Sequence, residues 1–117
     1  MPGKLSTHVL DLTAGRPAAG LRLELKRLAP QATSLKTVVT NADGRTDGLL
    51  LEPDELSVGT YQIEFHVGAY FASKGGSAGQ PPFLDIVPVR FGISDAAASY
   101  HVPLLVTPWA YSTYRGS

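Results

Sequence analysis

Twelve glycines and nine prolines cut this chain into short stretches, and most stretches alternate apolar with polar residues. Proline breaks a helix interior and glycine weakens one, so long helices are excluded. Short alternating runs between turn residues read as strands. Leu5 to Leu12 reads as a first strand and Thr13 to Gly20 as a turn or loop. Leu21, Leu23 and Leu25 alternate with Arg22, Glu24 and Lys26, the period of a strand with one buried face. Leu35 to Thr40 is a third strand, rich in β-branched residues. Asn41-Ala42-Asp43-Gly44 is a turn, because Asn, Asp and Gly tolerate positive φ, and a short extended piece follows over Arg45 to Leu51.

Glu52 to Leu56 reads as a loop or a single helical turn. Tyr61, Ile63, Phe65 and Val67 alternate with Gln62, Glu64 and His66. Tyr70 to Lys74 suits a short helix that Gly75-Gly76 would end. Ile86 to Ile93 and His101 to Thr107 are further strands, and Pro88 and Pro103 place each at an edge, bulge or strand end. Beyond Pro108, Ala110 to Ser117 is extended again. Trp109, Tyr111 and Tyr114 make this tail too aromatic for a frayed end, so it is expected to pack as an edge strand. Seven or eight short strands and at most one helix indicate an all-β sandwich.

A chain of 117 residues is one domain, 1–117, at about 150 residues per domain. It can bury about two thirds of its unfolded surface and needs no covalent staple. Ten basic residues balance ten acidic ones, which argues against nucleic acid or anionic membrane as a partner. The absence of cysteine removes thiol nucleophiles, thiolate metal sites and disulfides together. No apolar run approaches membrane-spanning or signal-peptide length, so a soluble cytoplasmic protein is expected.

Three histidines are then the general acid/base candidates at neutral pH. His8 shares a strand face with Ser6 and Leu10, while Thr7 and Val9 face the other way. His101 shares a face with Pro103, Leu105 and Thr107. His66 lies beside Glu64 on a polar face and reads as a solvated residue. Histidines at metal-ligand spacing are missing, which leaves only a weak case for a His8–His101 metal site. A Ser6–His8–Asp11 triad fails locally, because Asp11 points to the opposite face from Ser6 and His8. Neither a Gly-x-Ser-x-Gly elbow nor a phosphate-cradling glycine loop is present. Arg45 follows a tight turn, either as a solvated charge or as a fixed guanidinium for an anion or a carbonyl-rich ring.

Several segments resemble the 5-hydroxyisourate hydrolases, the transthyretin-like enzymes of purine catabolism. Leu5-Ser6-Thr7-His8-Val9-Leu10-Asp11 resembles their opening motif, and Asn41 to Arg45 with Thr46-Asp47-Gly48 their second. Tyr100 to Leu105, Thr107 to Thr113 and the tetrapeptide Tyr114-Arg115-Gly116-Ser117 also match. Smaller echoes are Gly59-Thr60-Tyr61, Tyr70-Phe71 and Pro82-Phe83-Leu84. The hormone-carrier branch lacks the first-strand histidine and the Tyr-Arg-Gly-Ser ending. This chain has both and sides with the enzymes.

The resemblance implies a sandwich of two four-stranded sheets with one short helix. It also implies a homotetramer, a dimer of dimers with its sites at the dimer–dimer interface. Its substrate is 5-hydroxyisourate, whose six-membered ring is opened by hydrolysis without cofactor or metal. The product, 2-oxo-4-hydroxy-4-carboxy-5-ureidoimidazoline, lies in urate degradation toward allantoin. By the same resemblance His8, Arg45, His101 and Ser117 are catalytic, and His8, Arg45, Tyr114, Arg115 and Gly116 hold substrate. Which histidine is the base stays open. The alternative reading is a carrier of a small aromatic ligand.

Overall fold

The computed structural model describes residues 3–75 and 79–116. Its strands are β1 (Leu5–Ser6), β2 (Val9–Asp11), β3 (Arg16–Pro17), β4 (Arg22–Ala29), β5 (Thr33–Val39) and β6 (Gly59–His66). The helix α1 (Val67–Ser73) follows, then β7 (Ile86–Ile93), β8 (Tyr100–His101), β9 (Leu104–Val106) and β10 (Tyr111–Thr113).

Uninterrupted alternation builds one layer. The four longest strands pair antiparallel in the order β5-β4-β6-β7. Leu23, Leu25, Ile63 and Phe65 point inward and are fully buried. Their polar neighbours form a charged outer face, where Lys26 meets Glu64 at 3.2 Å. β7 is an edge strand, as Pro88 requires, since its missing N–H then interrupts no ladder.

The second layer is fragmented. Its main sheet has the order β10-β9-β2-β3, and β1 and β8 form a separate parallel pair. The expected strand Leu5 to Leu12 is therefore two strands, parted at Thr7 and His8. The expected strand His101 to Thr107 is likewise parted, at Val102 and Pro103. Pro103 has no N–H to give the ladder. The buried Thr7 hydroxyl spans the gap by donating to the Val102 carbonyl at 2.7 Å. Backbone bonds from Val102 N to Ser6 O and from Leu104 N to His8 O, both 2.9 Å, hold the broken strands side by side.

Three further boundaries differ from expectation. β3 lies inside the expected loop Thr13 to Gly20, because Arg16 and Pro17 pair back onto β2. Arg45 to Leu51 forms no strand, and only Leu51 bridges to Leu5. The helix starts at Val67 and not at Tyr70. Buried Val67, Tyr70 and Phe71 follow helical spacing, but Val67 also continues the strand alternation, which hides the switch of period. The expected stop at Gly75-Gly76 is described only at Gly75, whose φ is +79°; Gly76 and Ser117 lie outside the described residues.

The sandwich of two four-stranded sheets with one short helix is thus the observed fold. Its core lies between the layers, from Leu5, Val9 and Leu104 on one side to Leu23, Ile63 and Phe65 on the other. The tail pairs as the edge strand β10, yet Trp109, Tyr111 and Tyr114 remain exposed on the single chain. Among the described residues, no helix is long and apolar enough to cross a membrane.

Candidate active site

The break in the second layer is where the candidate residues meet. Around it Thr7 and Val9 are buried, and Ser6 and His8 face outward and are half-buried. The turn after β5 supplies the next element. The Asn41 side-chain oxygen accepts the backbone N–H groups of Asp43 at 2.9 Å and Arg45 at 3.2 Å. Its amide nitrogen donates to the Asp47 carboxylate at 3.0 Å.

Gly44 lets this turn lie flat against β2. Its φ is +73°, and a Cβ there would sit 2.3 Å from the Val9 carbonyl oxygen. The Gly44 carbonyl instead accepts the Val9 N–H at 2.8 Å. That docking brings the Asp43 carbonyl oxygen within 2.8 Å of His8 Nε2 and leaves Arg45 near enough for its charge to act on His101.

His101 enters from β8, opposite Ser6 in the parallel register. Its Nδ1 lies 2.9 Å from the Ser6 hydroxyl. On its other side, Gly116 donates its N–H to the His101 carbonyl at 2.7 Å and accepts the His101 N–H at 3.4 Å. A Cβ on residue 116 would lie 2.9 Å from the imidazole Cδ2, so only glycine fits there without displacing the ring.

Burial, then the Arg45 charge, then the His8 charge hold the His101 pKa below its ordinary value of 6.5. Three potential cations therefore share one face, and crowding among them favours the neutral form of His101. Beside them a hollow of about 370 Å³ is lined by Ser6, Thr7, Arg45, Asp47 and Glu52, among others. The set can exchange protons through two imidazoles and offset negative charge through a guanidinium.

Other expected residues lie elsewhere on this chain. Arg115 turns away from the histidine face: its guanidinium lies 4.3 Å from the Tyr100 ring centroid and donates to the Ser99 carbonyl at 3.2 Å. Tyr114 is exposed and lines a cleft with Val89 and Phe91. Ser117 lies outside the described residues. His66 stays on the charged outer face, paired in register with Ile86.

Asp11 is buried away from the histidines. Its carboxylate accepts the Tyr70 hydroxyl at 2.8 Å and the N–H groups of Thr13 and Ala14. Burial and this bond push the Tyr70 hydroxyl up to about 12. Asp11 braces the loop after β2 and joins no triad with Ser6 and His8. Among the described residues, no three His, Asp or Glu side chains stand close enough to hold a metal ion.

The sequence does not show the partners of the two histidines. Along the strand Ser6 neighbours His8, whereas its hydrogen-bond partner is His101, 95 positions away. The Asn-x-Asp-Gly pattern signals the turn but not which carbonyl it delivers.

The family model for the HIUase/Transthyretin family matches residues 5–116. The chain belongs to the HIUase/Transthyretin family. Among members of the family, the 5-hydroxyisourate hydrolase 2 of Rhizobium meliloti is 55% identical over 116 residues, 98% of this chain and 97% of that protein. The crystal structure of an (S)-allantoin synthase matches with a TM-score of 0.95 and 49% identity, over 99% of this chain but 44% of that one. The sea bream transthyretin crystallised with thyroxine matches with a TM-score of 0.86 and 27% identity, over 97% of this chain and 94% of its own.

Proposed function

We propose that this protein hydrolyses 5-hydroxyisourate, opening its six-membered ring to give 2-oxo-4-hydroxy-4-carboxy-5-ureidoimidazoline. The observation that carries the reading is the convergence of His8, Arg45 and His101 on one face, with the neutral form of His101 favoured by its surroundings. The 55% identity to a 5-hydroxyisourate hydrolase, against 27% to a transthyretin, supports an enzyme over a carrier.

Hydrolysis of a cyclic C–N bond needs a base for water, an offset for the oxyanion and a proton for the leaving nitrogen. His8 and His101 divide the water and proton steps. Arg45 holds the carbonyl-rich ring and offsets its developing negative charge. It also favours the neutral imidazole that a base requires. Gly116, packed on the His101 ring, closes one wall, and assembly across the interface brings Tyr114 and Ser117 to the substrate. Arg115, clamped on Tyr100, anchors the tail that carries them.

The working form is a homotetramer, a dimer of dimers with sites at the dimer–dimer interface. Two observations support it. The edge strands β7 and β10 present unpaired backbone groups, and Phe83, Trp109 and Tyr111 are exposed aromatics that assembly would cover. The mass in solution by analytical ultracentrifugation tests the assembly, and a monomer would reject it.

The activity is tested by following the ultraviolet absorbance of freshly made 5-hydroxyisourate with and without chelator-treated protein. Decay faster than the spontaneous rate at sub-stoichiometric protein is expected. A trace identical to the baseline from a folded oligomer would reject the hydrolase reading and favour a ligand carrier.

A further inference from the structure

The two histidines are gripped at different nitrogens, and the grips come from residues not counted among the catalytic set. His8 offers Nε2 to the Asp43 carbonyl at 2.8 Å. A carbonyl oxygen only accepts, so this nitrogen carries the proton and neutral His8 keeps its lone pair on Nδ1. Asn41 holds that carbonyl in place, because its side-chain oxygen takes the Asp43 and Arg45 N–H groups together. His101 is gripped at Nδ1, by the Ser6 hydroxyl at 2.9 Å. Ser6 stands directly across from it in the β1–β8 register. Among the described residues, only Nδ1 of His101 has a hydrogen-bond partner, which leaves Nε2 as the other ring nitrogen.

We infer that Asn41 and Ser6 are positioning residues that leave His8 Nδ1 and His101 Nε2 as the nitrogens of proton transfer. The inference rests on the hydrolase reading for what those nitrogens do, and on geometry alone for which nitrogens they are. Asn41 ties two groups into one unit, since the same side chain sets the Arg45 backbone and the His8 acceptor. Ser6 acts on His101 alone. Loss of Ser6 thus frees one imidazole, whereas loss of Asn41 disturbs an imidazole and a guanidinium together.

The test uses the full chain labelled with ¹⁵N at histidine. Three histidines give three resolvable rings, and His66 on the outer face is an internal control. Long-range proton–nitrogen spectra of the wild type should show neutral His8 protonated at Nε2. Ser6→Ala should change the His101 nitrogen shifts, leave those of His66 in place, and lower kcat by about tenfold with KM little changed. Ser6→Thr, which restores a hydroxyl, should recover most of both signals. Asn41→Ala should change the His8 shifts and lower kcat while raising KM.

Because Asn41→Ala can also loosen the turn, Ser6→Ala and the wild-type tautomer carry the decision. His8 protonated at Nδ1 would overturn the inference. So would a Ser6→Ala protein with wild-type kcat and unchanged His101 shifts. A wild type that turns over no substrate rejects the hydrolase reading, and the nitrogen shifts then judge the positioning claim by themselves.

Discussion

The two layers of this sandwich are built to different standards. The sheet β5-β4-β6-β7 has strands of seven or eight residues in near-continuous antiparallel register. The opposite layer has strands of two or three residues and two breaks. Regular pairing satisfies every backbone group but leaves little room for special geometry. The break in the paired strands places His8 in the gap and His101 at its edge. One layer is regular pairing throughout, and the other brings the candidate residues together.

That division can be broken by mutation. His8→Asn or His101→Asn, in the fragmented layer, should lower kcat by roughly 10²–10⁴-fold with the fold intact. Steady-state kinetics beside a thermal melt would check this, and near wild-type turnover by both variants would reject the assignment. In the regular layer, Ile63→Ala empties a fully buried site and should cost roughly 2–5 kcal/mol of stability. Urea titration would report it, while turnover per folded molecule should hold.

Gly44→Ala tests the seam between turn and β2. Its positive φ and the Val9 carbonyl both oppose a side chain, so roughly 1–3 kcal/mol of stability should go. Activity should fall as well, since the same shift moves Arg45 and the Asp43 carbonyl.

Smaller effects sharpen the contrast. His101 has a folded pKa below 6.5, so as pH falls the unfolded chain takes up this proton first. The stability it contributes is full above pH 6.5 and is lost as pH falls through the depressed value. The acidic limb of kcat/KM should accordingly lie below 6.5. In Arg45→Gln an NMR titration of the His101 ring should move its pKa upward. The rise should stop short of 6.5, because burial, the larger cause, remains. An unmoved titration would detach Arg45 from His101. On the outer face, Lys26→Ala breaks a half-buried surface ion pair with Glu64 and should cost about 1 kcal/mol or less.

The same division decided what could be read in advance. Alternation at Leu21 to Lys26 and Tyr61 to His66 announces the regular layer, because a period of two is a local property. The breaks at His8 and Pro103 depend on partners nearly a hundred residues apart, which no local pattern encodes. His8, Arg45 and His101 were legible as candidates by chemistry and resemblance. The contacts of Ser6 and the Asp43 carbonyl with them were not, because these form only when β1 meets β8 and the turn meets β2. The placing of Arg115 on Tyr100 was hidden for a similar reason: a sequence does not say which side of an edge strand a tail residue takes.

Gly116 has a practical corollary. Two backbone hydrogen bonds stitch it to His101 and hold the main chain beside an imidazole. A group attached next to Gly116 would lie within reach of the histidine face. A floppy affinity tag there would act as a tethered competitor, sampling the face at high local concentration. An environment-sensitive dye in the same place would serve as a gauge of occupancy, dimming or brightening as small molecules come and go.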